Sequence, residues 1–227
     1  MQHVQTETSP PLSARTVGAR DCAVFEFGAS RINGVRSRFE RNEEIFGQDE
    51  QAEHVYVVHS GAVRTVRYSS EGRRQIVCFH LPGDVFGVEF SPRHAFAAEA
   101  VNDADVLVLR RSSLERAAAE TPATGAALLA LAARQMHEAQ EHAMMLGLKG
   151  AGERVAAFLT RLAGRFADRS ALDLPMSRAD IADHLALTIE SVSRAFTQME
   201  RDSTIALPSA RRVILRDWRA LHQLQSA

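Results

Sequence analysis

The 227-residue chain contains only two cysteines, Cys22 and Cys78. Two thiols are too few for a disulfide scaffold, a structural four-cysteine zinc site or a four-cysteine iron–sulfur cluster within one chain. Lysine is almost absent as well: Lys149 is the only one, so arginine supplies 26 of the 27 basic residues, which 28 acids balance to a net charge of −1. Whole-chain charge therefore gives no sign of nucleic-acid binding, which a strongly basic domain would show.

Long apolar runs are also missing. The longest is about the length of 125–133, well short of the roughly 20 residues that cross a bilayer. The first 20 residues contain Ser, Thr and Pro and lack the apolar core of a signal peptide. With 45% apolar and 24% charged residues, the chain is expected to fold into one large or two modest domains. We expect a soluble, cytoplasmic protein without a membrane partner, preceded by a flexible arm over 1–20.

The segment from residue 22 to about residue 110 contains short apolar bursts that glycine interrupts, such as EEIFG, HVYVVHSG and RQIVCFHLPGDVFG. Strands of this length at intervals of about ten residues predict an antiparallel β-roll (a double-stranded β-helix, or jelly roll) over 21–111. Glycine turns at 60–61 and 71–72 bracket the strand 62–68 and predict hairpins. The fold class is therefore α+β, because the remainder of the chain has a helical pattern.

Helical periodicity begins after the predicted roll. Ser112 is placed to cap a short helix that ends near Glu120, and Thr121 with Pro122 predicts the start of a longer helix of about 25 residues. Glycines beyond residue 146 end it. A further helix is predicted from 153 to 167, before a connector.

The long helix carries an apolar stripe with spacings of three and four residues, as in a heptad seam. Its members are Leu129, Ala132, Met136, Ala139, Ala143 and Leu146. The alternative is a core helix that packs on its own sheet. A narrow, alanine-rich stripe on an otherwise polar helix favours a two-stranded coiled coil, so we expect 112–148 to form a homodimer interface.

A helix-turn-helix is predicted within the last part of the chain, 149–227. Ser177 and Asp180 have the spacing of a capping box for a helix over 178–185, and Thr188 is placed to cap a second helix over 189–201.

Apolar residues occupy the positions where these two helices must face each other. They are Ile181, Ala182, Leu185, Leu187, Val192 and Ala195. Ala186 stands in the turn where glycine is usual, and a left-handed backbone there costs alanine on the order of 1 kcal/mol.

Four residues near the start of the second helix share one exposed side: Ile189, Glu190, Ser193 and Arg194. Such a side enters a major groove. Arg194 can bond guanine O6 and N7, Glu190 can accept from a cytosine or adenine amino group, and Ser193 and Ile189 can meet thymine. The alternative for Glu190 and Arg194 is a surface ion pair worth about 0.3–0.5 kcal/mol.

Polar residues at the N-termini of the two helices are predicted to contact phosphates, since hydroxyls, guanidinium groups and free N–H groups can donate hydrogen bonds to phosphate oxygens. These residues are Ser177, Arg178, Thr188 and Ser191. The segment IALPSARRVILRD predicts two short strands, a wing whose tip carries Arg211 and Arg212 for further backbone contacts.

Over about residues 21–220 the chain resembles the CRP/FNR superfamily of bacterial transcription regulators. The resemblance lies in LPGDVFG, KGAGERVAAFL and MSRADIADHLALTIESVSRAF. The ExxSR pattern of Glu190, Ser193 and Arg194 is similar to that of the FNR and FixK branches. It implies a homodimer on double-stranded DNA with TTGAT-type half-sites, Arg194 on the G·C pair, and activation in microaerobic, nitrogen-fixation or denitrification cascades. RNA polymerase contact is implied for a loop in the roll, namely Ser69, Ser70, Glu71, Gly72 and Arg73.

The same resemblance also limits which effector this chain is expected to bind. Cyclic-nucleotide binders of this superfamily carry an Arg-Ser pair where this chain has alanines at 97–98 or Phe96 beside Ala97. Oxygen-sensing members use three N-terminal cysteines and one in the roll, whereas this chain has Cys22 alone, with Leu107 at the roll position. The FixK-like branch, without cofactor or metal, fits best.

Two other hypotheses stay open at this point. The first is a CRP-like regulator gated by a small molecule or haem in the roll, because haem needs only one histidine and a second donor. The second is a cupin-like metal enzyme, disfavoured because no His-x-His occurs in the sequence. For oxidation, Cys22 is a better candidate than Cys78, which is expected to be buried.

Overall fold

In the computed structural model, residues 22–166 and 168–226 are described, so the predicted arm over 1–20 lies outside the described residues. Two antiparallel sheets face each other in the first half of the chain, which confirms the predicted β-roll. One has the strand order β1-β2-β9-β4-β7 and the other β3-β8-β5-β6. The strands are β1 (Cys22–Phe27), β2 (Ser30–Phe39), β3 (Glu44–Phe46), β4 (His54–Ser60), β5 (Val63–Tyr68), β6 (Arg74–His80), β7 (Val85–Phe86), β8 (Ala97–Ala100) and β9 (Ala104–Arg110).

Aromatic side chains fill the space between the two sheets. Phe46, Tyr56 and Phe86 are buried there, and the ring centroids of Tyr56 and Phe86 lie 5.2 Å apart. Gly61 makes the turn between β4 and β5 at a φ of +78°, and a Cβ atom there would lie 2.4 Å from the Asp103 carbonyl oxygen. Both the backbone angle and the close approach therefore require glycine.

Three helices follow the roll: α1 (Arg111–Glu120), α2 (Pro122–Leu148) and α3 (Ala151–Ala163). The long helix starts at Pro122 as predicted, but Thr121 makes no side-chain cap. The prediction that Ser112 caps α1 is also wrong, because this helix already begins at Arg111.

The third helix differs from its prediction at both ends. It begins before Glu153, because that carboxylate accepts the Gly150 N–H at 2.7 Å and so caps the first turn. It ends at Ala163, and the predicted end at Ala167 lies outside the described residues.

The C-terminal domain combines helices with a small sheet of order β10-β12-β11. Its elements are β10 (Ala171–Asp173), α4 (Arg178–Leu185), α5 (Ile189–Arg201), β11 (Ile205–Ala206), β12 (Arg212–Leu215) and α6 (Trp218–Ser226). The two wing strands are confirmed. The third strand β10 pairs with β12 in a segment for which the sequence predicts only a connector.

One apolar core joins this domain to the roll. Ile76 and Phe79 of β6 lie in the same buried cluster as Phe158 of α3 and Leu185 of α4. Arg154 also joins several elements, because its guanidinium donates to three main-chain carbonyls. These are Lys149 at 2.8 Å, Leu146 at 2.8 Å and Leu185 at 3.0 Å. Carbonyls at a helix C-terminus lack partners within the helix, so Arg154 satisfies and connects the ends of α2 and α4.

Two histidines are stacked between α2 and α4 with ring centroids 4.3 Å apart, His142 and His184. Arg161 donates to His184 Nε2 at 2.9 Å, so the neutral ring carries its proton on Nδ1 and donates to the Ile76 carbonyl at 3.1 Å. Burial, followed by the nearby His142 and Arg161, lowers the pKa of His184 to about 3. Burial is also the main cause that lowers the pKa of His142 to about 4.

These histidines predict acid sensitivity. An unfolded histidine takes up a proton near pH 6.5 while the folded protein excludes it, so the free energy of unfolding falls as the pH drops below about 6.5 and goes on falling to about pH 3. Each fully shifted histidine contributes on the order of 1.4 kcal/mol per pH unit, and half-buried His142 contributes less. Urea unfolding at pH 7.5 and 5.5 measures this.

The variant His184→Asn retains an N–H donor for the Ile76 carbonyl but does not titrate. We expect it to show a weaker pH dependence than the wild type, whereas exposed Gln140→Ala, which removes no titrating group, keeps the full dependence. Equal pH dependence in His184→Asn and the wild type would contradict this account.

Candidate DNA-binding site

The helix-turn-helix begins with the predicted capping box. The Ser177 hydroxyl oxygen accepts the Asp180 N–H at 3.1 Å, and Asp180 Oδ2 accepts the Ser177 N–H at 3.0 Å. The turn places Ala186 in the left-handed region at a φ of 51°, as its position in the motif predicts. The Ser177 hydroxyl also donates to Asp180 Oδ2 at 2.8 Å, so it is occupied within the cap.

The contact between α4 and α5 is apolar, as the sequence predicts. The buried residues are Ile181, Ala182, Leu185, Val192 and Ala195, with Leu187 partly buried beside them. This packing determines which side of α5 is exposed.

The predicted base-contacting residues lie on that exposed side. Glu190, Ser193 and Arg194 are exposed, and Ile189 is 49% exposed. Arg194 Nη2 donates to the Ser191 hydroxyl oxygen at 3.2 Å. No close ion pair joins Glu190 to Arg194, both of them described residues, so the alternative of a surface ion pair is not seen.

The first turn of α5 is suited to negative charge. Thr188 caps it, because its Oγ1 accepts the Ser191 N–H at 3.2 Å. The pKa of Glu190 is lowered by its own backbone N–H, by the Thr188 hydroxyl and by the charge of Arg194. Glu190 is therefore ionised at neutral pH and acts as a hydrogen-bond acceptor.

Arg178 differs from its expected placement. Its guanidinium lies over the Phe196 ring, with Cζ 3.2 Å from the centroid, and its buried Nη1 has no hydrogen-bond partner among the residues that the structure describes. Burial lowers its pKa to about 10. A phosphate contact, predicted from its place at the helix start, requires this side chain to leave Phe196.

The wing arginines differ from each other. Arg211 is exposed. Arg212 donates from Nη1 to the Asp173 carboxylate at 3.3 Å, so a phosphate would compete with this carboxylate for it.

The predicted seam of α2 is largely uncovered in the single chain. Leu129 is 72% and Met136 60% exposed, and Ala139 and Ala143 are exposed as well. Ala132 is half-buried. Leu146 packs partly against the chain's own core.

Sequence reasoning missed two further exposed apolar residues of α2, which lie outside the predicted seam. Met144 is 57% and Leu148 74% exposed, and their spacing of four residues from each other is the signal that would have found them. The opposite side of α2 contacts the chain's own domains through buried Leu131 and Met145.

The loop from 69 to 73 joins β5 to β6 and is exposed. The Ser69 N–H donates to the Arg73 carbonyl at 2.9 Å, and Arg73 pairs with Glu71 at 2.9 Å. Ser70 and Gly72 complete the turn.

The remaining predicted positions lie within the roll. Cys22 is exposed at the start of β1, whereas burial raises the pKa of Cys78 to about 11 and keeps its thiol protonated. Leu107, Ala97 and Ala98 are buried in strands. In the described part of the chain, no group of three His, Cys, Asp or Glu residues could hold a metal ion. Among the described helices, none is long and apolar enough to cross a membrane.

Two family models match the chain. A cyclic nucleotide-binding domain matches residues 36–121, and a Crp-like helix-turn-helix domain matches residues 153–224. The nitrogen fixation regulation protein FixK of Azorhizobium caulinodans is 49% identical over 198 residues, which cover 85% of this chain and 80% of that protein. FixK of Rhizobium meliloti is 40% identical, with coverage of 88% and 93%.

A solved structure shares the whole architecture. FixK2 from Bradyrhizobium japonicum has a TM-score of 0.83 and 45% identity, covering 86% of this chain and 98% of that one. These relatives are transcription regulators, so the metal-enzyme hypothesis for the roll is wrong. The architecture, the exposed recognition helix and the identity to FixK proteins together establish that the chain belongs to the FixK-like branch of the CRP/FNR family of DNA-binding transcription regulators.

Proposed function

We propose that this protein binds as a homodimer to a palindrome of the TTGAT-N4-ATCAA type and activates transcription there. The observation that carries the proposal is the exposed side of α5, where Ile189, Glu190, Ser193 and Arg194 lie within its first two turns. Arg194 has the donor fork that bonds guanine O6 and N7, and ionised Glu190 accepts from an amino group on the same or adjoining pairs.

The exposed apolar stripe of α2 supports the proposed dimer. An uncovered strip with Leu129 and Met136 at 72% and 60% exposure is unfavourable in water, and a second copy of the same helix covers it. Alanines between these anchors allow close approach of the two helices. In the proposed dimer, a two-fold axis along α2 would set the two recognition helices about one turn of DNA apart.

Phosphate contacts surround the recognition helix in this proposal. Thr188, Ser191 and the free N–H groups of the first turn of α5 face one strand. Arg211 and Arg212 on the wing contact phosphates on the other side of the recognition helix. For this contact, Arg212 must leave the Asp173 carboxylate. Ser177 contributes a phosphate contact at the start of α4. Arg178 contributes one only when its guanidinium leaves the Phe196 ring.

The exposed loop from 69 to 73 is the proposed contact with RNA polymerase, supported by its exposure and its paired charges, Glu71 and Arg73. Because its relatives are named as regulators of nitrogen fixation, we place the protein in such a cytoplasmic regulatory cascade. Exposed Cys22 is the residue best placed for oxidation.

No small-molecule effector is required in this proposal. Ala97 and Ala98 are buried in β8 and supply neither the charge nor the hydroxyl that would hold a cyclic-nucleotide phosphate. The second candidate, an effector-gated regulator, rests on the match to a cyclic nucleotide-binding domain and on His80 inside the roll, which stacks on Phe86 with centroids 5.0 Å apart.

DNA binding by metal-free, ligand-free protein under air separates these candidates. We expect a gel shift with TTGAT-N4-ATCAA at low concentration, no Soret band and no adduct in a native mass spectrum. A scrambled duplex of equal length is the control. Binding that appears only after adding haem or a cyclic nucleotide would favour the second candidate and contradict the first.

A further inference from the structure

We propose that an ion network with a buried centre fixes the DNA-binding domain to the roll and thereby determines the half-site spacing that the dimer accepts. The network consists of Arg64 and Arg74 from the roll with Asp180 and Asp183 from α4, and we call it the interdomain latch. This inference rests on the proposed homodimeric operator binding, and it makes Arg64 and Arg74 positioning residues without any DNA contact.

Arg64 is the buried centre of the latch, with only 6% of its side chain exposed. Its Nε and Nη2 donate to Glu99 Oε2 of β8 at 2.9 and 2.6 Å, and Nη2 also donates to Asn42 Oδ1 at 3.2 Å. Its Nη1 donates to Asp180 Oδ1 at 2.9 Å, across 116 residues of sequence. One guanidinium therefore joins the roll to the first helix of the helix-turn-helix.

Arg74 adds a second connection from β6. Its Nε and Nη2 donate to Asp183 Oδ2 at 2.8 and 2.6 Å, and Nη2 also reaches Asp180 Oδ1 at 3.1 Å. Beside it, Gln75 Nε2 donates to the His184 carbonyl at 3.3 Å. Together these bonds hold α4 along β6.

Asp180 connects the latch to the recognition motif. Its Oδ2 caps α4 at Ser177, while its Oδ1 accepts from Arg64 and Arg74. A buried charge is unfavourable unless it is paired. The docked arrangement supplies both arginines to Asp180, and a displaced domain would remove them, while Arg64 would keep Glu99 and lose only its bond across the domains.

This geometry relates the recognition helix to the dimer axis. The α5 helix packs on α4, α4 is fixed to the roll by the latch, and Arg154 ties the ends of α4 and α2 together. In a dimer joined along α2, the distance and rotation between the two α5 helices then follow from the latch. Loosening it should relax the spacing preference without changing which bases α5 contacts.

The test compares binding to duplexes in which TTGAT and ATCAA are separated by three, four or five base pairs. We expect Arg74→Gln and Asp183→Asn to weaken binding to the operator with a four-base-pair spacer by roughly fivefold or more. When the spacer is changed to three or five base pairs, the affinity of these variants should fall by a smaller factor than that of the wild type. The double variant should be no worse than Arg74→Gln alone, because Arg74→Gln already removes the bonds to Asp183 as well as the one to Asp180. The control Arg31→Gln removes an exposed charge elsewhere on the roll and should change neither the affinity nor the spacing preference.

Hydrogen exchange of α4 supplies a readout that does not involve DNA. In Arg74→Gln the amides of α4 should exchange faster while those of β2 and β9 keep their protection, which also shows that the variant folds. Unchanged affinity, spacing preference and exchange would overturn the latch. Failure of the wild type to bind any spacing would instead contradict the proposed function, while the exchange result still decides whether the latch exists.

Discussion

Replacing Arg194 with alanine is expected to weaken binding to TTGAT-N4-ATCAA by about 1–3 kcal/mol for each guanine that Arg194 binds, and a homodimer binds two. The guanidinium is exposed on α5, and among the described residues its hydrogen bond is to the Ser191 hydroxyl. The substitution therefore leaves no buried charge unpaired, and its effect should fall on DNA rather than on folding. Gel-shift titration measures the decrease in affinity.

Discrimination between base pairs tests the role of Arg194 more specifically than affinity alone does. Changing the half-site G·C pair to A·T should weaken binding by the wild type and make little difference to Arg194→Ala. Arg194→Lys keeps the charge but loses the two-donor fork, so it should retain phosphate attraction and lose the discrimination. Arg31→Ala removes the same charge from the roll, where Arg31 is exposed, and should bind normally. Full affinity and full discrimination in Arg194→Ala would contradict the assignment of Arg194 to the guanine contact.

Replacing Met136 with glutamate is expected to convert the proposed dimer to monomers. Met136 is 60% exposed in the single chain and lies in the middle of the seam of α2, so a two-fold axis brings it close to its own copy. A glutamate there meets a second glutamate in a desolvated contact, where an unpaired charge costs several kcal/mol. Sedimentation should show half the wild-type mass, and operator affinity should fall to that of one half-site.

A neighbouring substitution controls for charge and helix stability. His137 is exposed on α2, one residue from the seam and turned away from it, so His137→Glu should remain dimeric. Circular dichroism at pH 7.5 should show both variants folded. A persistent dimer in Met136→Glu would place the interface elsewhere, and exposed Met144 and Leu148 would be the next residues to test.

Local chemistry made the helix-turn-helix predictable. Ser177 with Asp180 and Thr188 with Ser191 form their caps over three residues of sequence, so spacing alone carries the information. The same locality explains the errors. Ser112 and Thr121 have the residue type of a cap but form none, and β10 is too short to show a period and becomes a strand only because β12 pairs with it.

The sequence by itself determined the periods of the chain: alternation in the roll, a heptad stripe on α2, and an apolar contact between α4 and α5 that leaves Arg194 exposed. Only the tertiary structure decided which charges pair. Arg178 lies on Phe196, Arg212 meets Asp173, and Arg64 reaches Asp180 across 116 residues. Such pairs depend on which surfaces meet after folding, and no local spacing encodes that. A chain with almost no net charge thus holds an ion pair of Arg64 and Asp180 buried between its domains.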